Sequence, residues 1–95
     1  MNIICSKLYQ EQLKSILEPY LQSDPKGIKD FKLYLDTVIL NMPSKVHKYK
    51  KSIYFEDDDI RDIEHQGYII PFVYDGINNI FLILGIVEKN NMTKA

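Results

Sequence analysis

Eight consecutive residues, Ser44-Lys45-Val46-His47-Lys48-Tyr49-Lys50-Lys51, hold four lysines and a histidine around one tyrosine. Ammonium groups at that density can hold phosphates, and the tyrosine offers a flat face for an unpaired base. The same run also suits a solvated connection between a helix and a sheet. Just downstream, Glu56-Asp57-Asp58-Asp59 gathers oxygen ligands of the kind hard cations prefer. The calcium-loop pattern fails there, because Arg61 takes the next alternate position after Asp57 and Asp59 and no glycine follows it. The run therefore reads as a solvated turn that keeps a strand edge from pairing with strangers, and no metal is expected.

His47 and His65 are the two histidines, either able to move protons near neutral pH if the fold brings it to a substrate. Neither has a partner in the sequence. Cys5 is the one cysteine, so an internal disulfide is excluded. It sits among isoleucines with no base beside it to lower its pKa, and reads as a small buried apolar side chain. Arg61 is the sole arginine, whereas a phosphoryl-transfer site usually needs several cations, because charge develops on several oxygens at once. No nucleophile elbow, phosphate loop, dinucleotide fingerprint or zinc-ligand spacing occurs, so a metabolic enzyme has no support and no cofactor is implied.

These residues must be positioned by a chain of 95 residues, enough for one domain (1–95, ending in a polar tail over 90–95) with one shared core. With 45% hydrophobic and 26% charged residues it has ordinary globular composition. The longest apolar run, Ile80 to Val87, is too short to span a bilayer, and the N-terminus lacks the basic start and long apolar stretch of a secretory signal. A cytoplasmic protein without a membrane partner is expected. The net charge of −1 conceals an asymmetry: residues 26–51 carry seven lysines against two aspartates, and residues 52–66 carry six acids against one arginine. A protein that wraps phosphate backbone is usually basic throughout, so this chain offers a patch only.

Asn2 to Cys5 suits a short strand, after which the Ser6 hydroxyl can cap a helix opening at Lys7. Tyr9, Leu13, Ile16, Leu17 and Tyr20 share one helical face, and Pro19 bends or ends that helix. Asp24-Pro25 opens a second amphipathic helix, with Ile28, Phe31, Leu35, Val38, Ile39 and Met42 inward and an end between Asn41 and Pro43. Tyr68 to Tyr74 and Ile80 to Val87 read as strands around a five-residue loop, Asp75 to Asn79. The second, apolar everywhere except Gly85, reads as a central strand covered on both faces. Pro71 cannot donate to a ladder, which predicts a bulge or a missing partner there. Ile60 to Glu64 is a weaker third strand, since Ile60 and Ile63 share a pleat face only across a bulge. The expected fold class is α+β: an N-terminal strand and an antiparallel two-helix hairpin packed on an antiparallel sheet completed by a three-strand C-terminal meander.

That element order, with Asp59-Ile60-Arg61-Asp62-Ile63, Gly67-Tyr68-Ile69-Ile70 and the closing Ile83-Leu84-Gly85-Ile86-Val87, resembles the RelE/ParE superfamily, the toxins of bacterial type II toxin–antitoxin modules. The resemblance covers nearly the whole chain and implies a growth-inhibiting toxin, neutralised by a small antitoxin in a possible hetero-oligomer. RelE-like members cut ribosome-bound mRNA through the RNA's own 2′-hydroxyl, with basic side chains on the middle strands and a C-terminal arginine or histidine with tyrosine. This chain departs from that pattern, with Ile69 after the Gly67-Tyr68 pair and Glu88-Lys89-Asn90-Asn91 after the last strand. Arg61, His65 and Lys89 are the candidates if it is a ribonuclease. Lys45, His47, Lys48, Tyr49, Lys50 and Lys51 are candidates for contact with nucleic acid or another target. ParE-like members share the fold, lack the nuclease set and poison DNA gyrase, which the departures favour. A degenerate toxin kept as a binding or regulatory module is a third reading.

Overall fold

Ser6 decides where the first helix begins. Its backbone is extended, and its hydroxyl accepts a hydrogen bond from the Tyr9 amide at 3.0 Å, meeting one of the donors that a helix start leaves free. The computed structural model describes residues 2–89. The polar tail expected over 90–95 lies outside them. Within them the chain runs β1 (Asn2–Cys5), α1 (Lys7–Leu17), α2 (Tyr20–Ser23), α3 (Pro25–Asn41), a 3-10 segment (Met42–Lys48), β2 (Lys50–Lys51), β3 (Ile60–His65), β4 (Tyr68–Asp75), β5 (Ile80–Ile83) and β6 (Val87–Glu88).

The expected two-helix hairpin is three helical pieces. Pro19 cannot donate to the ladder of a continuing helix, so α1 stops at Leu17 and one further turn follows as α2. Tyr20 is thereby removed from the inward face and stands exposed. The Asp24-Pro25 signal operates as its chemistry suggests, with the Asp24 carboxylate accepting from the Gly27 amide at 3.1 Å and proline in the first turn. Beyond Asn41 the chain continues as the 3-10 segment, broken at Lys45. The basic run is therefore held as a tight turn against the core by buried Met42 and half-buried Val46.

The sheet has the order β1-β5-β4-β3-β2, with β6 also paired to β4. It is mixed, not wholly antiparallel: β1 lies parallel to β5, with Ile3 opposite Phe81. A strand that leaves through helices and is rejoined after a long excursion can be met in the same direction, whereas the short turns of the β3–β4–β5 meander enforce antiparallel pairing. Ile60 and Ile63 both bury without a bulge, because β3 and β4 keep one register from Ile60–Val73 to His65–Tyr68. Ile63 faces the helices and Ile60 the opposite side. The core is the helix-facing layer: Tyr9, Leu13, Leu35 and Ile39 close over Ile63, Ile70, Phe72, Phe81 and Ile83.

The bulge announced by Pro71 falls on its neighbour. Phe72 pairs with Ile83 and Ile69 with Val87, so Ile70 and Pro71 face three residues, Leu84, Gly85 and Ile86. The strand expected over Ile80 to Val87 is thus two strands around a bulge. The Pro71 carbonyl still accepts from the Leu84 amide at 2.8 Å, but the missing Pro71 N–H leaves the partner strand free to swell there. Helix α1 takes up the displaced polar groups. Ser6 Oγ donates to the Leu84 carbonyl at 2.9 Å, and Gln12 Oε1 accepts from the Ile86 amide at 2.9 Å.

A Cβ at Gly85 would come within 2.7 Å of Gln12 Oε1, so the Gln12 side chain would have to move off the Ile86 amide. We therefore expect Gln12→Ala and Gly85→Ala each to destabilise the fold by about 1–2 kcal/mol, since both strip the Ile86 amide of its partner. Combined, they should cost little more than either alone. Urea unfolding of the four members of this cycle checks the coupling, and strict additivity would show that the two residues act separately.

Candidate functional site

The alternation of β3 sends its side chains to opposite sides of the sheet. Arg61, Ile63 and His65 point with Phe72, Ile70 and Tyr68 toward the helices, while Asp62 and Glu64 point outward with Pro71 and Ile69. The cleavage candidates are divided by this geometry. The Arg61 guanidinium donates to the Tyr49 carbonyl and ties the end of the 3-10 segment to the sheet. The His65 ring lies under α3, with its centroid 6.0 Å from that of Phe31. Lys89 stands on the other side of the sheet, ion-paired with Glu64 across Ile69. Both charges are more than half exposed, so the pair is screened and contributes little to stability. Glu64 nonetheless holds the ammonium in place and raises its pKa, chiefly through their hydrogen bond.

The target-contact candidates converge better. Lys48, Lys50 and Lys51 meet Lys89 around an open cleft of about 390 Å³, floored by Ile69 and edged by Asp62 and Glu64. Lys51 approaches Asp58 of the acidic turn at 3.5 Å, with both groups largely exposed. That turn is closed by its own backbone, the Asp57 carboxylate accepting from the Asp59 amide. Tyr49 also borders the cleft, but its ring stands edge-on to Phe72 at 5.7 Å and 86°, so it belongs to the packed layer more than to an open stacking platform. Lys45 and His47 are exposed on the 3-10 segment and do not border the cleft.

Two groups near the cleft were not singled out from the sequence. Asp62 and Glu64 alternate with buried Ile63, a period-two pattern that was available to be read as two carboxylates on one outer face. Tyr54 had no such signal, because it arrives on the loop that follows β2. Its amide donates to Ser52 Oγ and the neighbouring Ile53 amide to Asp62 Oδ2, which fold the loop across the sheet. The Tyr54 hydroxyl is buried and has no hydrogen-bond partner among the described residues. Burial, followed by the negative charge of Asp62, pushes its pKa up, with Lys89 acting in the opposite sense. The cleft thus presents four cations beside two carboxylates, an arrangement suited to binding an anion at the lysines, while the Tyr54 hydroxyl stays buried outside its lining.

A second concavity lies on the helix side. Between α1 and α3, over β1, is an apolar groove of about 720 Å³ with Ile3 and Cys5 on its floor and Tyr9, Leu13 and Ile39 on its walls. Burial raises the pKa of the Cys5 thiol, and the Asp36 carboxylate adds to the effect, which favours the protonated thiol over the thiolate.

Burial lowers the His65 pKa, and its Nε2 has no partner among the described residues. Below the ordinary value of 6.5 the unfolded chain therefore binds a proton that the folded chain resists. Stability should fall as pH drops from 6.5 toward the lowered folded value, and His65 should have no effect above it. We expect His65→Gln to flatten that limb in thermal unfolding against pH; an unchanged difference between the two proteins across this range would refute the assignment.

No family model matches the chain, and no curated protein matches it. Solved structures do. A chain from the chromosomal ParDE TA system of P. aeruginosa superposes with a TM-score of 0.64 at 17% identity, over 93% of this chain and 95% of that one. A conserved hypothetical protein from Helicobacter pylori, solved in solution, gives 0.59 at 16% identity, over 98% of this chain and 99% of the other. At such identities the likeness is one of fold, and it extends through strand, helical layer and meander alike. This chain shares the fold of these two chains over nearly its whole length.

Proposed function

We propose that the chain is the toxin of a type II toxin–antitoxin module, held inactive by a small antitoxin, and that it arrests growth without cutting RNA, acting in the ParE manner on DNA gyrase in the cytoplasm. The observation that carries the choice of mechanism is the separation of the cleavage candidates. Arg61 is tied to the Tyr49 carbonyl and His65 is packed on Phe31, both on the helix side, while Lys89 is paired to Glu64 on the outer side. General acid–base cleavage needs its groups within hydrogen-bond reach of one scissile phosphate. The similar chain from P. aeruginosa comes from a ParDE TA system, which supports an antitoxin partner for this chain as well.

The outer cleft favours a second reading. Its lysines could hold a messenger backbone, and Glu64 on β3, with Tyr54 on the neighbouring loop, would supply the polar groups missing after β6. In its present arrangement the Tyr54 hydroxyl is buried and would have to be uncovered to reach RNA. A degenerate toxin that binds its antitoxin without arresting growth is the remaining alternative.

Expressing the chain alone should arrest growth, and co-expressing a small antitoxin encoded beside it should relieve the arrest. Lys89 is exposed, so Lys89→Ala can be made without disturbing the core. On the proposed reading it leaves the arrest intact, and primer extension finds no cut messages. Arrest lost in Lys89→Ala, with cut messages in the unsubstituted chain, would transfer the assignment to the cleft; harmless overexpression would remove the toxin assignment altogether.

A further inference from the structure

We propose that residues 53–59 form a displaceable strap across the outer face, and that a phosphate-type anion entering the lysine cleft releases it and brings the Tyr54 hydroxyl to the anion. The inference stands whether or not the chain is a toxin. β2 and β3 are already joined where the Ser52 amide donates to the Ile60 carbonyl at 2.8 Å, so a two-residue turn would connect them. Seven residues intervene instead. They cross the sheet until Phe55 reaches a hollow of about 190 Å³ bounded by Leu8 of α1 and by Pro71 and Leu84 at the bulge.

Little holds the strap down. Its apolar side chains beside Tyr54, Ile53 and Phe55, remain 72% and 43% exposed. Its side-chain bond to the sheet runs from the Ile53 amide to Asp62 Oδ2 at 3.1 Å, open to water, while the Asp59 amide bonds within the strap to Asp57. Against these stand two buried polar atoms, the Tyr54 hydroxyl and Asp62 Oδ1, without partners among the described residues. Buried groups left unpaired penalise the closed arrangement, and opening to water relieves both.

The charges of the cleft connect the strap to a ligand. Asp58 on the strap approaches Lys51 at 3.5 Å, and Lys51 also lines the cleft. Across the cleft Lys89 is held by Glu64. An anion that draws both ammonium groups takes away the ion pair of the strap and leaves Asp58 facing a like charge. The Tyr54 hydroxyl lies close enough to Asp62, Lys89 and Glu64 for their charges to act on it, so its release delivers a hydrogen-bond donor beside Lys89. Binding and release are thereby coupled, each favouring the other.

Pyrophosphate and a short single-stranded oligonucleotide are the probes, since free and polymeric phosphates present the same oxygens. Hydrogen exchange is read by NMR at the Ile53 and Tyr54 amides. The Ile77 and Asn78 amides, which donate to Asp75 Oδ1 at 3.0 and 3.2 Å in the β4–β5 loop, serve as references of the same kind away from the cleft. The proposal predicts that a probe speeds exchange at Ile53 and Tyr54 by about fivefold or more and leaves the reference pair unchanged. A response to pyrophosphate assigns a free phosphate ligand, and a response to the oligonucleotide alone a polymeric one. Asp58→Asn should speed exchange in the strap without any anion. Tyr54→Phe, which changes no charge and removes the unpaired hydroxyl, should slow it and weaken binding of the active probe. A strap equally protected at saturating concentrations of both probes overturns the proposal, as does failure of both to bind or a gain in exchange shared by the reference amides. So does exchange in Tyr54→Phe as fast as in the unsubstituted chain.

Discussion

The missing N–H of Pro71 organises the structure around it. A proline inside a paired strand leaves its neighbour without one ladder bond, and the neighbour responds by adding a residue, so Leu84, Gly85 and Ile86 swell away opposite Ile70 and Pro71. Swelling exposes a carbonyl and an amide that must find partners before they can be buried. Both find them on α1, at Ser6 and Gln12. Because Ser6 also caps α1 and follows β1 directly, these bonds locate the helix over the sheet and hold β1 beside β5. Placement of the helical layer, closure of the core and the path of β6 toward Gly67 all follow from a local defect in one strand.

The consequence is a sheet with two different faces. On one side α1 and α3 cover an apolar layer in which Arg61 and His65 serve the packing, one by fastening the 3-10 segment and the other by lying against Phe31. On the other side no helix is placed among the described residues. There the Tyr54 loop crosses part of the surface and leaves a lysine-edged cleft toward β2. Opposite charges that are separated along the chain meet at this edge, Lys51 with Asp58 and Lys89 with Glu64. The basic and acidic segments are therefore adjacent parts of one surface and present neither a uniform polyanion-binding patch nor a uniform acidic one.

Much of this was legible in the residues because local chemistry decides it. Ser6, Asp24-Pro25 and Pro19 set helix ends through hydrogen bonds made or denied within a few residues, and the structure agrees at each. Pro71 foretold a disturbance but not which strand would yield, since that depends on a neighbour more than ten residues away. The run from Ile80 to Val87 read as one strand for the same reason: Leu84 and Ile86 are as apolar as their neighbours, and only pairing reveals the bulge. Ile60 and Ile63 misled because burial on one face was assumed, whereas the Tyr54 loop helps cover the second. Of the candidate site, the lysines were visible as composition. Their meeting with Lys89 and Glu64 depends on sheet order, which no local pattern encodes, and Tyr54 comes beside Asp62 along a loop without a repeat or cap to announce it.

Separation of Arg61 and His65 from Lys89 is the physical basis for our proposal that the molecule acts as a toxin without cutting RNA. The measurement that addresses this most directly is DNA supercoiling by purified gyrase in the presence of increasing amounts of the chain. Inhibition that rises with its concentration and is reversed by the cognate antitoxin is the predicted result. Undiminished supercoiling, together with messages cut on translating ribosomes by the same preparation, would contradict the account.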